Sequence, residues 1–498
     1  MAAEREHQST FPEVIPDRVA AALDAEGLAL LNDPLGRLKV VEAENASLRA
    51  EVAELRRENQ ELRARLGKDS TNSSRPPSSD PPERLYKRAK REPSGRKAGG
   101  QPGHKGVTRE MLPPERVTAV IGHHPATCSG CGADLSSAPQ AGEPVPHQVI
   151  ELPEIRPEVI EHRLHAARCE SCGTVTRAEL PPEARWCTGP RLTAFAALLC
   201  GRFRISREET ADLLWSALGV PISKATVQAC CERVSAAIAE PVSVLVNALR
   251  HLALVHLDET GWKLGRARLW LWVAVATTFT VFAVHLRRSR DQLVEWFGSS
   301  FHGVVHSDRW RPYEMFPPDH RQLCWAHLLR DLQAIIDAAG AGKDRAEKTL
   351  LAARTIFVDW RLFKQGSLDR AELQRRTSGF RTTFHTFCAD GSGQDADRCW
   401  RALGSGLIRL WPAVFRFLDI DGVEPTNNAA EQAIRPAVLW RRSSQGSRSE
   451  AGSTFVARIL TVAATCRRQG RHPLAYLTEA VVNYTHGRPA PALRSDIS

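Results

Sequence analysis

Residues 252–260 read Leu-Ala-Leu-Val-His-Leu-Asp258-Glu259-Thr260, a short apolar run that stops on acids. A run of this length fits a buried central strand that delivers a carboxylate at its end. Gly303-Val-Val-His-Ser-Asp308 repeats the pattern. Between them, residues 269–286 carry no Lys, Arg, Asp or Glu. That stretch is rich in β-branched and aromatic residues and is broken midway by Thr277-Thr278. It reads as the two strands of a hairpin rather than a membrane-spanning helix. Far downstream, Pro425-Thr-Asn-Asn-Ala-Ala-Glu431-Gln-Ala-Ile-Arg435-Pro436 reads as a turn and a helix start.

Two strand-borne aspartates and a helix-borne glutamate suit two-metal phosphoryl transfer. Mg²⁺ takes oxygen ligands, and two ions roughly 3.5–4 Å apart can hold both the attacking and the leaving oxygens of an in-line displacement. Other roles stay open for each acid. Strand neighbours point to opposite faces, so only one of Asp258 and Glu259 should reach the metals. Asp308 could cap the helix after it. Asn428 and Glu431 have capping-box spacing, and Arg435 is an i,i+4 partner for Glu431. Arg435, Arg441, Arg442 and Arg448 are candidate phosphate contacts, or else a solvated basic face.

Outward from this centre, 498 residues exceed one hydrophobic core, so several folded units are expected. Hydrophobic residues at 42% and charged residues at 25% are those of a globular protein. The formal charge of +10 favours an anionic partner. The first residues contain no apolar signal segment, so a cytoplasmic, nucleoid-associated protein without membrane partners is expected.

After an uninformative segment (1–35), residues 36–67 carry heptads. Leu38, Asn45, Val52, Asn59 and Leu66 form one seam position, and Val41, Leu48, Leu55 and Leu62 the other. Apolar seams with charged flanks predict a coiled coil, and hence a dimer. The alternative is an amphipathic helix packed on its own chain. Residues 68–112, rich in Ser, Pro, Gly and Lys/Arg, cannot bury a core. They form a linker or a basic arm, in which Lys87, Arg88, Lys90 and Arg91 would lie on phosphates.

In 113–187, Cys128-Ser-Gly-Cys131-Gly and Cys169-Glu-Ser-Cys172-Gly are two knuckles with zinc-ligand spacing. Strand-like segments at 147–155 and 158–169 complete a zinc ribbon. Its zinc would be structural, because all four ligand positions are filled. Residues 188–250 read as helices, with a helix-turn-helix outline. Ser206 and Glu209 make a capping box, Gly219 ends the first helix and Ser223 caps the next. This outline fits either DNA binding or a plain helical bundle.

Read together in this order, these pieces resemble the insertion-sequence-66 family of bacterial transposases, of the Asp-Asp-Glu superfamily. The pieces are the heptads, NSSRPPSSDPP with GGQPGHKG, the paired Cys-x-x-Cys knuckles and Leu-Asp258-Glu-Thr. They continue with Ser-Asp308 and Tyr313, Cys324-Trp-Ala-His327-Leu-Leu-Arg330, and Thr-Asn-Asn-Ala-Ala-Glu431-Gln-Ala-Ile-Arg435-Pro. The resemblance implies a multidomain α/β protein with a ribonuclease-H-like mixed-sheet core in two parts, 251–324 and 418–470. An all-α insertion (325–417) separates the parts, and a C-terminal tail (471–498) follows.

It further implies Asp258, Asp308 and Glu431 as the triad for two Mg²⁺ ions, with Mn²⁺ as a substitute. Its partners would be DNA, at element ends and target, and small accessory proteins of the same element. His327 and Arg330 join the DNA-contacting candidates, although Cys324 and His327 fit a buried structural pair equally well. A catalytically inactive DNA-binding regulator or end-bridging scaffold is the alternative from another class. Two departures stand out: Arg309-Trp310 where many relatives carry Gly-Tyr, and a tail without the Leu-Pro-Trp ending of many members.

Overall fold

The computed structural model describes residues 25, 43, 45–59, 110–444 and 446–493. It divides into two compact units, Met1–Lys87 and Arg88–Ser498. In the first, residues 45–59 are helical, and the seam residues Leu48, Val52 and Leu55 are exposed. The remaining heptads and the basic arm, with Lys87, Arg88, Lys90 and Arg91, lie outside the described residues.

The second unit opens on the cysteine-bearing region. Two short antiparallel strands stand there, β1 (Ala166–Arg168) and β2 (Val175–Arg177). Of the strands expected at 147–155 and 158–169, only Ala166–Arg168 forms. Val149, Ile150, Leu152, Val159 and Ile160 are all exposed. Their alternation has no facing layer to bury it, and strand preference is largely a matter of such packing.

Four helices follow: α1 (Pro190–Gly201), α2 (Arg207–Leu218), α3 (Lys224–Ala237) and α4 (Ala239–Ala248). The expected caps form. Ser206 Oγ accepts from Glu209 N and the Glu209 carboxylate accepts from Ser206 N, each at 3.1 Å. Gly219 closes α2 at φ 65°, and Ser223 Oγ accepts from Thr226 N at 3.2 Å. These helices are not a separate domain, however. Leu198, Val234 and Leu245 share one hydrophobic cluster with Val255, Leu271 and Phe282 of the sheet. α1 shows why: Ala197 and Leu198 face that cluster while Ala196 and Leu199 face a second, with Leu214 and Cys230. A helix apolar on several sides is a core helix.

The sheet comprises β3 (Leu254–Leu264), β4 (Ala267–Val275), β5 (Thr280–His285), β6 (Val304–Ser307) and β7 (Arg321–Leu323). α5 (Arg290–Phe297) connects β5 to β6. The spatial order is β5-β4-β3-β6-β7, with β3, β4 and β5 antiparallel and β6 and β7 parallel to β3. The hairpin read from residues 269–286 is β4–β5, turning at Thr277 and Thr278. No helix among the described residues is long and apolar enough to cross a membrane. Gly303 lets β6 run close to β3, because a Cβ there would lie 2.1 Å from Leu252 O.

After β7 come α6 (Trp325–Ala338), α7 (Lys343–Lys364), α8 (Arg370–Gly391) and α9 (Arg398–Arg409). They enclose a core of their own around Trp325, Phe384, Trp400 and Phe415, to which the sheet contributes Val304 and Leu323. The chain then returns in α10 (Asn428–Ser444) and α11 (Glu450–Arg468). α11 docks on β5, with Phe282 N donating to Thr461 Oγ1 (2.9 Å) and Thr280 N to Thr465 Oγ1 (3.1 Å).

Residues 471–498, expected as a tail, contain a further helix, α12 (Pro473–Thr485). Tyr476, Leu477, Ala480 and Val481 are buried in the main cluster, where α12 packs on α1 and α3.

Candidate active site

Val255-His256-Leu257-Asp258 on β3 and Val305-His306-Ser307-Asp308 at the end of β6 run parallel, with His256 opposite His306. The two rings lie 4.8 Å apart on one face of the sheet. Alternation brings Asp258 to that same face, and Asp308 follows the last residue of β6, its charge acting on both Asp258 and Glu259.

Glu259 turns to the other face and is only 2% exposed. Its Oε1 accepts from Arg288 Nε at 2.8 Å and from Arg288 Nη2, and its Oε2 accepts from the Tyr313 hydroxyl. The Arg288 guanidinium stacks over Trp270 (5.0 Å) and Trp310 (4.1 Å). Trp310, one of the two residues that depart from the family pattern, also packs on Trp272 and Tyr313. Arg309, the other, pairs with Asp331 of α6 at 2.8 Å.

Asp258 has no such partner. Its Oδ1 accepts from Glu259 N at 2.9 Å, and Asp308 Oδ1 accepts from Trp310 N at 2.8 Å. Asp308 thus caps the short turn after it, as the sequence allows. No arginine or lysine pairs with either carboxylate among the described residues. Burial pushes the Asp258 carboxyl well above the usual range, and the charges of Glu259, Asp308 and Glu431 push it further. Burial also raises Glu259, reinforced by Asp308 and opposed by Arg288.

Glu431 is positioned through Asn427. The Asn427 side chain donates to Leu257 O (2.7 Å) and accepts from His256 Nδ1 (3.1 Å). Its backbone amide donates to Cys324 Sγ (3.1 Å), and Trp325 N donates to Pro425 O (2.9 Å). Asn427 O accepts from Ala430 N and Glu431 N, so α10 begins one residue earlier than the Asn428 capping box implies. The Glu431 carboxylate turns toward α6 instead, with Oε1 3.7 Å from His327 Nδ1 and 4.0 Å from Arg330 Nη2. Arg435, its expected i,i+4 partner, is exposed on α10.

Cys324 is buried, and burial raises its thiol to about 11. His306 is completely buried, and burial first, then His256 and His327, push its imidazole well below the ordinary value.

Arg441 has a task the sequence did not suggest. Its Nη1 donates to Thr260 Oγ1 (3.0 Å) and Gly261 O (2.9 Å), fastening α10 to β3. Arg442 is exposed.

Cys169 and Cys172 stand in the turn between β1 and β2, and Cys128 and Cys131 stand between the bridged residues Thr127 and Asp134. Each pair makes the same turn: Cys128 N bonds Ala133 O and Cys169 N bonds Thr174 O, while Gly132 N and Gly173 N return to the carbonyls of Cys128 and Cys169. Gly132 and Gly173 adopt φ 77° and 75°, which a side chain would strain. Among the described residues the four thiols do not gather into one group.

Sequence reading missed His256, His306, Asn427 and Arg288. A signal for the first two was present, because both strands spell Val-His-x-Asp. Nothing local marks Arg288, whose role depends on the approach of β3 and the 310–313 turn.

The family described as "Transposase IS66 family" matches residues 191–454, more than half the chain. The "zinc-finger binding domain of transposase IS66" matches residues 125–173, and a family of unknown function matches residues 32–110. Two uncharacterized proteins of Sinorhizobium fredii are similar. One, y4hP, is 25% identical over 411 residues, covering 74% of this chain and 72% of its own. The other, y4qI, is 28% identical over 179 residues, and the match spans 32% of its length. The matched segment runs from α1 into α11 and contains every acid described above, so the chain belongs to the IS66 family of transposases.

Proposed function

We propose that this transposase hydrolyses DNA at the ends of an insertion sequence and joins the freed 3′-hydroxyl to target DNA. Asp258, Asp308 and Glu431 would hold the two Mg²⁺ ions, with Mn²⁺ able to replace them. The observation that supports the reading is the His256–His306 register, which sets Asp258 and Asp308 on or just past neighbouring parallel strands, with the charges of Asp308 and Glu431 acting on Asp258. These residues fit a hard cation. Their donors are oxygens only, and among the described residues no arginine or lysine pairs with either aspartate carboxylate, the nearby Arg321 donating to the backbone oxygen of Asp308 at 3.1 Å. When bound, such ions supply Lewis-acid stabilisation at both the attacking and leaving oxygens.

The protein's own groups do the positioning. Backbone amides of Glu259 and Trp310 orient the two aspartates, and Asn427 sets the helix that carries Glu431. His327 and Arg330 beside Glu431, and Arg435 and Arg442 on α10, would meet the phosphate backbone. The strand order, three antiparallel and two parallel, supports a ribonuclease-H-like core. The exposed Leu48, Val52 and Leu55 stripe supports a coiled-coil dimer, which pairing two element ends requires. The matched zinc-finger supports one structural zinc on Cys128, Cys131, Cys169 and Cys172.

Asp308→Asn tests the reading, because asparagine keeps an acceptor for Trp310 N and removes a charged ligand. The purified variant should bind element-end DNA as the wild type does and lose Mg²⁺-dependent cleavage. Cleavage at the wild-type rate would reject the triad.

A further inference from the structure

Cys324, His327 and Glu431 each offer one ligand atom, and the three atoms lie within 4.8 Å of one another. Two elements build this group. Cys324 precedes α6 and His327 stands three residues on, a spacing that turns both toward one side. Asn427, bonded to Cys324 Sγ, starts α10, and Glu431 stands one turn on.

His327 Nδ1 and Glu431 Oε1 face each other at 3.7 Å, and both atoms are buried without a hydrogen bond. A direct bond would need about 3 Å. Two ligands each about 2.0–2.2 Å from a shared zinc ion span roughly the observed gap. The Asn427 amide donates to the sulfur, as amides do to metal-bound thiolates. Arg330, 4.0 Å from Glu431, opposes a cation, whereas Asp308 near His327 favours one.

We propose that Cys324, His327 and Glu431 form a second zinc site, with an open fourth position, separate from the cysteine knuckles. Sulfur and imidazole select Zn²⁺ over Mg²⁺. Zinc held here engages Glu431, so it inhibits Mg²⁺-dependent cleavage; that consequence rests on the catalytic reading above, and the binding does not.

The test titrates Zn²⁺ into reduced, metal-free full-length protein against a chromophoric chelator. The zinc count should fall by one equivalent in Cys324→Ser and likewise in His327→Ala, with far-UV circular dichroism unchanged. An unchanged count in a folded variant overturns the site, and the half-exposed His327 serves should Cys324→Ser fail to fold. Asp258→Asn should keep the full count. Zinc should inhibit wild-type cleavage at least about tenfold more strongly than that of Cys324→Ser. Equal inhibition overturns the regulatory coupling. If Asp308→Asn still cleaves while the count falls as expected in Cys324→Ser, the triad reading fails and the zinc site stands.

Discussion

At β3 the two faces of the sheet carry neighbouring acids in opposite circumstances. Glu259 is buried with Arg288 and Tyr313 on its carboxylate and two tryptophans against that arginine. Asp258, its neighbour, is buried with one backbone amide and the fields of three other acids. Burial is common to both; a countercharge from the protein is not. Where the chain neutralises its own acid, the acid belongs to the fold. Where it leaves a buried acid without a countercharge, the burial costs free energy that a bound cation would offset.

The comparison breaks most sharply on activity. Asp258→Asn should lower Mg²⁺-dependent cleavage by about a thousandfold or more, the equivalent of several kcal/mol of lost charge stabilisation. Glu259→Gln should lower it by less than about tenfold. Both are measured on the same labelled element-end DNA, and a reversed ranking would make Glu259 the ligand.

Stability sharpens it next. Arg288→Ala removes the countercharge of Glu259 and should cost about 2–3 kcal/mol in urea unfolding, at the low end for a buried pair because Arg288 is 32% exposed. A change below about 0.5 kcal/mol would mean that Glu259 needs no partner.

The smallest effect lies in pH dependence without metal. Because the folded-state Asp258 carboxyl is raised, folding takes up a proton there. The contribution is whole below the ordinary aspartate range near pH 4 and is lost as pH rises. Metal-free Asp258→Asn should therefore melt above the wild type at pH 7.5, and the two curves should converge toward pH 4. A gap that widens on acidification would contradict the assigned direction.

What was legible in the sequence was what neighbours along the chain decide. The β4–β5 hairpin, the Ser206–Glu209 capping box and the Gly219 stop depend on residues a few positions apart, and all appear as read. The choice between Asp258 and Glu259 was not legible, because alternation says only that they differ. What separates them is the set of partners each meets, Arg288 and Tyr313 on Glu259 and a single backbone amide on Asp258, and those partners lie on other strands and turns. The helix at Pro473–Thr485 looked like a tail, since its apolar face finds its partners in α1 and α3, far away in sequence. The helices of 188–250 looked like a module of their own for the same reason: the sheet that shares their core is invisible to local periodicity.

The bonds from Asn427 to Cys324 and from Trp325 to Pro425 carry a consequence for how this part of the molecule can vary. They pin together the two ends of an excursion of about a hundred residues, so α6 through α9 hang from the sheet like a bag drawn shut at its neck. With the neck tied, the cost of a longer or shorter bag grows only logarithmically with its length. Loops at its far end can be lengthened, trimmed or exchanged while Asn427 stays on Cys324 and α10, with Glu431, starts in the same place.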